Sequence, residues 1–194
     1  MAEKTLVGVD IGTQGTKAAL FSESGRCLAT AVRKSRLHQP GGGIVEEDPE
    51  HQVRTVCQAI SACIRGAGAS RESVVAIGID GQMAGVIGIG KDGRHVTAYD
   101  SWLDTQCAPY IRLMHHKAGE RILHLAGCGP SFNHGPKILW WKGERPEIYR
   151  SITSFVQPGS YAAMRLCGLD GEAAFIDTTY LHFSGFADNR KGQW

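Results

Sequence analysis

The segment LVGVDIGTQGTKAAL, residues 6–20, contains the clearest indication of the fold. Its first apolar run ends at Asp10, a cluster of glycines and threonines follows, and the chain then becomes apolar again. Short apolar runs on both sides of a glycine-rich turn predict a β-hairpin, here with strands at 5–10 and 17–22. The segment CLATAVRKS at 27–35 comes after a second turn. We therefore expect the hairpin to extend into a three-strand antiparallel meander.

The chain after the meander begins with a loop and a helix. The segment LHQPGGGIVEEDPE at 37–50 contains a proline and three consecutive glycines, which predicts a loop. Asp48-Pro49-Glu50 at its end predicts a helix start, because aspartate is a favoured N-cap and proline fits the first helical position. Apolar residues at helical spacing then continue to about residue 66.

The next apolar segment, VVAIGI at 74–79, predicts a strand covered on both faces, because every position is apolar. It ends at Asp80, for which we expect a hydrogen bond that fixes the following loop. The later patterns predict strands at 84–90, 95–101 and 152–156, helices around 104–126 and 136–143, and a helix after Gln157-Pro158-Gly159 that ends near 168. This order indicates an α/β fold with a mixed sheet.

Composition restricts the function only weakly. The chain has 194 residues, of which 42% are hydrophobic and 21% charged, and its formal net charge is +2. That charge is too small to indicate nucleic acid or an anionic membrane as a partner. No window approaches the ~18 apolar residues of a membrane span, and the N-terminus lacks the layout of a secretion signal. The six cysteines form no C-x-x-C pair, so we expect buried, reduced thiols in a cytoplasmic protein.

One apparent motif does not support a function. Gly88, Gly90 and Gly93 match the dinucleotide fingerprint G-x-G-x-x-G. That fingerprint requires a helix after the glycines, because the helix N-terminus binds the pyrophosphate. A strand pattern follows here, so we interpret the match as a hairpin turn.

The turn of the first hairpin has the composition of a phosphate-binding loop. Backbone N–H groups in a tight glycine turn bind anions, and glycine lets the backbone approach where a Cβ would block it. Asp10 could hold magnesium, directly or through water, because magnesium prefers oxygen ligands. A structural hairpin with an Asx turn explains the same spacing. The residues that would contact phosphate are Gly12, Thr13, Gly15, Thr16 and Lys17.

Five segments in order resemble the FGGY carbohydrate kinases, which belong to the actin/hexokinase/chaperone superfamily and include xylulokinases and glycerol kinases. The hairpin is similar to the superfamily's first phosphate motif, Asp-x-Gly-Thr followed by a basic residue. The other segments are GIDGQMAG (78–85), YDSWLDTQ (99–106), GPKILWW (135–141) and FIDTTYLHFSGFADNRKGQW (175–194). Because they extend over essentially the whole chain, the resemblance implies an actin/hexokinase-like, ribonuclease H-like domain.

The resemblance also implies an activity and a set of site residues. The expected activity is ATP-dependent phosphorylation of a sugar or polyol hydroxyl, such as that of a pentulose, with ATP and magnesium. The residues matching the phosphate and magnesium positions are Asp10, Gly12, Thr13, Gln14 and Lys17, and those matching the sugar positions are Gln82, Met83, Trp102, Asp104 and Phe132. Asp177 matches the general base, although an aspartate there also fits the N-cap of a helix at 178–183.

Two departures from the family pattern affect specificity. Met83 is followed by Ala84 rather than by the histidine typical of xylulokinases, and Gln106 stands where the family usually has arginine. A polar pocket rejects substrates that leave its groups unpaired. The loss of a donor and of a positive charge therefore leaves another ketose, a polyol or a deoxy sugar open as the substrate.

Family members are much longer than this chain. The resemblance therefore implies that residues 1–194 are the N-terminal, sugar-binding domain, incomplete at its C-terminus, and that a second, adenosine-binding domain is absent. We expect such a fragment to be inactive alone, and a homodimer of the full-length protein stays open. Two other interpretations remain, namely a non-catalytic sugar-binding module or regulator and a chaperone-like ATPase of the same superfamily.

Overall fold

A computed structural model describes residues 3–194. The strands within that range are β1 (Thr5–Gly12), β2 (Gly15–Ser22), β3 (Cys27–Lys34), β4 (Leu37–Gly41), β5 (Ile44–Glu47), β6 (Val74–Gly81), β7 (Val86–Ile89), β8 (His95–Asp100) and β9 (Ser154–Val156). The helices are α1 (Pro49–Gly66), α2 (Ala108–Ala126), α3 (His134–Glu144), α4 (Pro146–Tyr149), α5 (Pro158–Cys167) and α6 (Leu181–Ser184). Short 3₁₀ helices at Arg71–Ser73 and Thr178–Tyr180 complete the secondary structure of the described residues.

The first sheet has the strand order β3-β2-β1-β6. β1, β2 and β3 pair antiparallel, whereas β6 pairs with β1 in parallel. The meander and the mixed sheet are thus confirmed. The second sheet has the order β4-β5-β8-β7-β9, and its paired strands are all antiparallel.

Helix α1 covers one face of the first sheet. Asp48 is its N-cap, as predicted, and the Asp48 carboxylate accepts a hydrogen bond of 2.9 Å from the backbone N–H of Glu50. The buried side chains between the helix and the sheet form one apolar cluster, with Val7, Val9, Ile11, Ala18 and Leu20 from the sheet and Val56, Ala59, Ile60, Cys63 and Ile64 from the helix. This burial supplies the hydrophobic free energy that holds the hairpin in place.

The prediction of a loop at 37–50 is wrong for most of that segment. β4 and β5 form a hairpin there, and β5 joins the second sheet next to β8. Gly41, Gly42 and Gly43 all have positive φ, at 107°, 65° and 82°, a conformation that glycine adopts without the Cβ penalty. The three glycines therefore make the turn of a hairpin rather than a long loop.

The prediction that the 74–79 strand is covered on both faces is also wrong. β6 is an edge strand of the first sheet, and Val75 and Ile77 are 54% and 45% exposed. Among the described residues only β1 pairs with it. An apolar residue at every position is typical of a strand inside a parallel sheet, but the pattern cannot say which neighbours are present.

The remaining strand and helix predictions are confirmed to within a few residues. Gly90 and Gly93 form the β7–β8 turn, so the dinucleotide match is a hairpin as expected. All six cysteines are unpaired, but Cys27, Cys57 and Cys167 are exposed rather than buried. No helix in the described part of the chain is both long enough and apolar enough to cross a membrane.

Candidate functional site

The first hairpin places Asp10 near the carboxyl ends of two parallel strands, β1 and β6. Thr13 and Gln14 form the turn between β1 and β2, and Asp10 lies opposite Lys17 in the register, with 3.7 Å between Asp10 Oδ2 and Lys17 Nζ. Asp10 also lies beside Asp80 of β6. Because both side chains are exposed at the carboxyl ends of parallel strands, this edge is where an α/β sheet binds ligands.

Two residues of the hairpin have structural roles. A Cβ on Gly15 would lie 2.6 Å from the carbonyl oxygen of Arg33, so the close approach of β3 requires glycine at this position. Thr16 is only 1% exposed, and its hydroxyl bonds that of Thr55 in α1 at 2.8 Å. The structure therefore does not bring Thr16 to the exposed surface of the hairpin.

A cavity of about 350 Å³ connects the hairpin to the residues that the resemblance assigned to the sugar. It is lined by Asp10, Gly12, Thr13, Gly81, Gln82, Met83, Ala84 and Trp102, and we call it the Trp102 cavity. The indole N–H of Trp102 donates to the hydroxyl of Thr13 at 3.0 Å. Thr13 in turn donates to Gln82 Oε1 at 3.3 Å. The Thr13 hydroxyl thus joins the first hairpin to Trp102 and Gln82, two of the residues that the resemblance assigned to the sugar.

The wall of the Trp102 cavity is held by a buried histidine that the sequence interpretation missed. His134 at the start of α3 is 2% exposed, and its Nε2 bonds the carbonyl oxygen of Met83 at 2.5 Å. Burial lowers the pKa of His134 to about 4, so the ring is neutral at pH 7 and its Nε2–H donates to that carbonyl. His134 directly precedes the GPKILWW segment, and this position next to a family motif could have identified it as a candidate site residue.

Asp104 does not line the Trp102 cavity. It is 2% exposed, and its carboxylate accepts hydrogen bonds from the backbone N–H of Val45 and from both the backbone N–H and the side-chain amide of Gln106. The ammonium of Lys137, 1% exposed, lies 3.7 Å from Asp104 Oδ1 and donates to the Asp104 carbonyl at 3.0 Å. These bonds make Asp104 a scaffold for the loop that carries Trp102. Phe132 is 37% exposed and lies outside the cavity lining.

A second buried carboxylate lies behind the same loop. Asp100 is 5% exposed and accepts a hydrogen bond of 2.5 Å from the indole N–H of Trp141. Burial raises the pKa of Asp100 to about 7, although the Trp141 bond and the charge of Lys137 oppose that shift. Asp100, Lys137 and Trp141 were not predicted as site residues, but all three lie in the quoted YDSWLDTQ and GPKILWW segments.

Asp177 lies in a different cavity. This second cavity, of about 630 Å³, is lined by Asp80, Asp177 and Tyr180 among others. Asp177 Oδ1 accepts hydrogen bonds from the backbone N–H and the hydroxyl of Thr179, at 2.8 and 2.6 Å, which lower the pKa of Asp177. The N-cap interpretation of Asp177 is confirmed, and the structure does not bring its carboxylate to the Trp102 cavity.

Asp80 fixes the loop that follows it, as predicted. Its Oδ1 accepts hydrogen bonds from the backbone N–H of Gly81 at 2.7 Å and from the hydroxyl of Tyr180 at 2.8 Å. The Tyr180 contact ties the segment after Asp177 to the end of β6.

Within residues 3–194 no cluster of three or more histidine, cysteine or acidic side chains forms a metal site.

Comparison with known proteins gives one consistent result. Residues 5–194 match the model of the N-terminal domain of the FGGY family of carbohydrate kinases. The chain is 31% identical over 163 residues to a xylulose kinase of Escherichia coli (strain K12), covering 84% of this chain and 33% of that protein. It is 26% identical over 167 residues to a xylulose kinase of Bacillus subtilis (strain 168), covering 86% of this chain and 34% of that protein.

A comparison with solved structures supports the fold. The chain superposes on the crystal structure of gluconate kinase from Lactobacillus acidophilus with a TM-score of 0.87 and 23% identity, covering 100% of this chain and 38% of that one. The chain thus spans about a third of the length of the relatives it matches. This likeness confirms the actin/hexokinase-like fold that the resemblance implied.

Proposed function

The chain belongs to the FGGY family of carbohydrate kinases, and we propose that it is the sugar-binding part of a kinase. The proposed reaction transfers a phosphoryl group from ATP to a hydroxyl of a sugar or polyol, with a ketose such as a pentulose as the preferred class. The observation that carries this proposal is the Trp102 cavity, where Thr13 of the hairpin is hydrogen-bonded to Trp102 and Gln82.

The sugar is proposed to bind in the Trp102 cavity. Trp102 is 48% exposed, so its indole offers an apolar platform for the C–H face of a sugar. Gln82 contributes an amide oxygen, and Met83 and Ala84 contribute apolar walls. Because Ala84 provides no hydrogen bond and Gln106 is bonded to Asp104, the described residues contribute few donors. We therefore propose a substrate that donates hydroxyl hydrogen bonds to the cavity, and leave its identity to the assay below.

The phosphates of ATP are proposed to lie at the turn of the first hairpin. Gly12 and the exposed Gln14 present backbone there, and Lys17 carries a positive charge on an exposed side chain. Phosphoryl transfer depends mainly on positioning and on neutralising charge, which a glycine turn with an adjacent lysine supports. The adenosine is proposed to bind to chain outside these 194 residues.

Magnesium fits this edge through Asp10. Magnesium keeps several waters and uses one or two carboxylates plus substrate phosphates, so it does not need a cluster of three protein ligands. Asp10 is exposed beside the turn and has Asp80 as its neighbour on β6. When bound, the ion would neutralise phosphate charge. Asp10 itself would orient the waters of the ion and offset the charge of Lys17.

Asp177 is proposed as the general base. The hydrogen bonds from Thr179 lower its pKa, so the carboxylate is ionised at pH 7 and has lone pairs for a hydroxyl proton. The role requires Asp177 to approach the sugar from the second cavity, by closure of the kind that many kinases undergo. Asp177→Asn retains an oxygen for the cap but removes the negative charge. We expect it to lower kcat by about 10²-fold or more.

The decisive test is sugar-dependent turnover in the longest chain that contains these residues. ADP release would be measured with D-xylulose, D-gluconate and glycerol, in the wild type and in Asp177→Asn. Saturable release that depends on the sugar supports the kinase. Sugar binding with no turnover indicates a sugar-binding module or regulator, and ATP hydrolysis that ignores sugars indicates a chaperone-like ATPase. Unchanged kcat in Asp177→Asn would leave Asp177 as a cap and assign the base to another carboxylate.

A further inference from the structure

The side chain of Gln82 is hydrogen-bonded to a buried acid, Glu47, that has no assigned role. Glu47, the last residue of β5, is 2% exposed, and its Oε1 accepts a hydrogen bond of 2.8 Å from Gln82 Nε2. Glu47 does not line the Trp102 cavity. Its contact with the site therefore runs through the side chain of Gln82, which is itself 8% exposed.

The two neighbours of the Gln82 amide leave it only one favourable orientation. An ionised carboxylate accepts hydrogen bonds and donates none, so the amide NH₂ must face Glu47. The amide oxygen then faces Thr13, whose hydroxyl donates to it at 3.3 Å. The reversed amide would place its oxygen against the Glu47 carboxylate, where no proton lies between the two oxygens.

We propose that Glu47 is a positioning residue that makes Gln82 present an acceptor, rather than a donor, to the sugar. This inference rests on the proposed function, because it assumes that a sugar occupies the Trp102 cavity. An amide oxygen has two lone pairs, and Thr13 uses one of them. The second is available to a hydroxyl of the substrate, so the site selects a ligand with a hydroxyl at that position.

The hydrogen bond from Gln82 helps Glu47 keep the negative charge on which this role depends. Burial raises the pKa of Glu47 from its usual 4.5, and the side-chain amides of Gln82 and then Gln52 oppose that rise. The other carboxylate oxygen, Oε2, is buried and has no hydrogen-bond partner among the described residues. A buried acid is costly when it is poorly paired. Of these two amides Gln82 has the larger effect, and its bond to Glu47 has the added strength of a charged acceptor.

The test replaces the carboxylate with its neutral isostere. In Glu47→Gln, residue 47 can both donate and accept, so either orientation of the Gln82 amide is satisfied. The matched control is Glu46→Gln on the same strand, because Glu46 faces the other way and lies 3.8 Å from His38 at the surface. Binding of D-xylulose and of glycerol to the chain would be measured by isothermal titration calorimetry, which needs no turnover.

We expect Glu47→Gln to weaken binding of the probe that binds the wild type by about tenfold, the scale of a hydrogen bond to a charged group, and Glu46→Gln to leave it unchanged. The double variant Glu47→Gln with Gln82→Ala separates positioning from stability. If Glu47 acts through Gln82, the double variant binds as Gln82→Ala alone does, although its unfolding midpoint is lower.

The possible results distinguish a failure of the positioning role of Glu47 from a failure of the sugar site. Binding by the wild type with equal affinities in Glu47→Gln and Glu46→Gln would overturn the positioning role and leave the sugar site intact. Additive losses in the double variant would show that Glu47 acts by another route. A folded wild type that binds neither probe would contradict the sugar site itself, and the positioning role with it.

Discussion

The pH dependence of stability should report the buried acid next to the Trp102 loop. The folded-state pKa of Asp100 is about 7, against a usual value of 3.8, so the native protein binds this proton more tightly than the unfolded chain. The contribution of Asp100 protonation to the free energy of unfolding is therefore present in full below pH 3.8 and is lost as the pH rises to about 7. About three pKa units at about 1.4 kcal/mol each amount to ~4 kcal/mol.

Asp100→Asn removes this titration and keeps an oxygen for the indole N–H of Trp141. The quantity to measure is the free energy of unfolding of the variant minus that of the wild type, by urea denaturation at several pH values. We expect this difference to rise by ~4 kcal/mol between about pH 4 and about pH 8 in favour of the variant. Taking the difference cancels other titrating groups, such as His134, whose lowered pKa makes stability fall toward low pH.

The control is Glu23→Gln, because the Glu23 side chain is 62% exposed and its pairing with Lys4, at 3.9 Å, is a surface contact. Its difference from the wild type should vary by less than ~1 kcal/mol over the same range. A difference for Asp100→Asn that also varies by less than ~1 kcal/mol would contradict the raised pKa, since it would mean that Asp100 ionises in the folded protein as easily as in water.

Three further substitutions test the scaffold by urea denaturation at pH 7. Lys137→Met should cost about 3–5 kcal/mol, because it leaves the buried Asp104 carboxylate without its cation, and a loss below ~1 kcal/mol would contradict the buried pair. Gly15→Ala should cost about 1–3 kcal/mol, because its Cβ would lie 2.6 Å from the carbonyl oxygen of Arg33; an unchanged stability would argue against that close approach. Asp48→Ala should cost about 1 kcal/mol through the lost N-cap, which a wild-type midpoint would disprove.

Local patterns predicted the first part of the fold well. The β1–β2 hairpin, β3 and the α1 start at Asp48 depend on residues close in sequence, such as a glycine turn or an N-cap followed by proline. Those signals act over a few residues, so one sequence is enough to read them.

The errors arise where the outcome depends on distant partners. β6 has the composition of a buried strand, yet it lies at a sheet edge because no described strand pairs on its other side. The β4–β5 hairpin lacks clear alternation and is stabilised by pairing of β5 with β8. Neither fact is contained in the residues of the segment itself.

The candidate site was also predictable from local motifs only in part. Trp102, Gln82 and the hairpin were identified by their motifs, and the structure brings them together around Thr13. Side-chain direction was not predictable, because it depends on register and packing. Thr16 and Asp104 consequently lie in the interior, where they bond Thr55 and Lys137.

A thermal-shift screen of this chain against ketoses, polyols and deoxy sugars would show whether the Trp102 cavity binds a sugar. A ligand at about 100 times its Kd stabilises the folded state by about 2.7 kcal/mol, which raises the unfolding midpoint measurably. We predict a clear rise with at least one sugar, and its loss in Trp102→Ala, which removes both the indole platform and the hydrogen bond to Thr13. No rise with any sugar, or an equal rise in the folded Trp102→Ala variant, would contradict sugar binding in the Trp102 cavity.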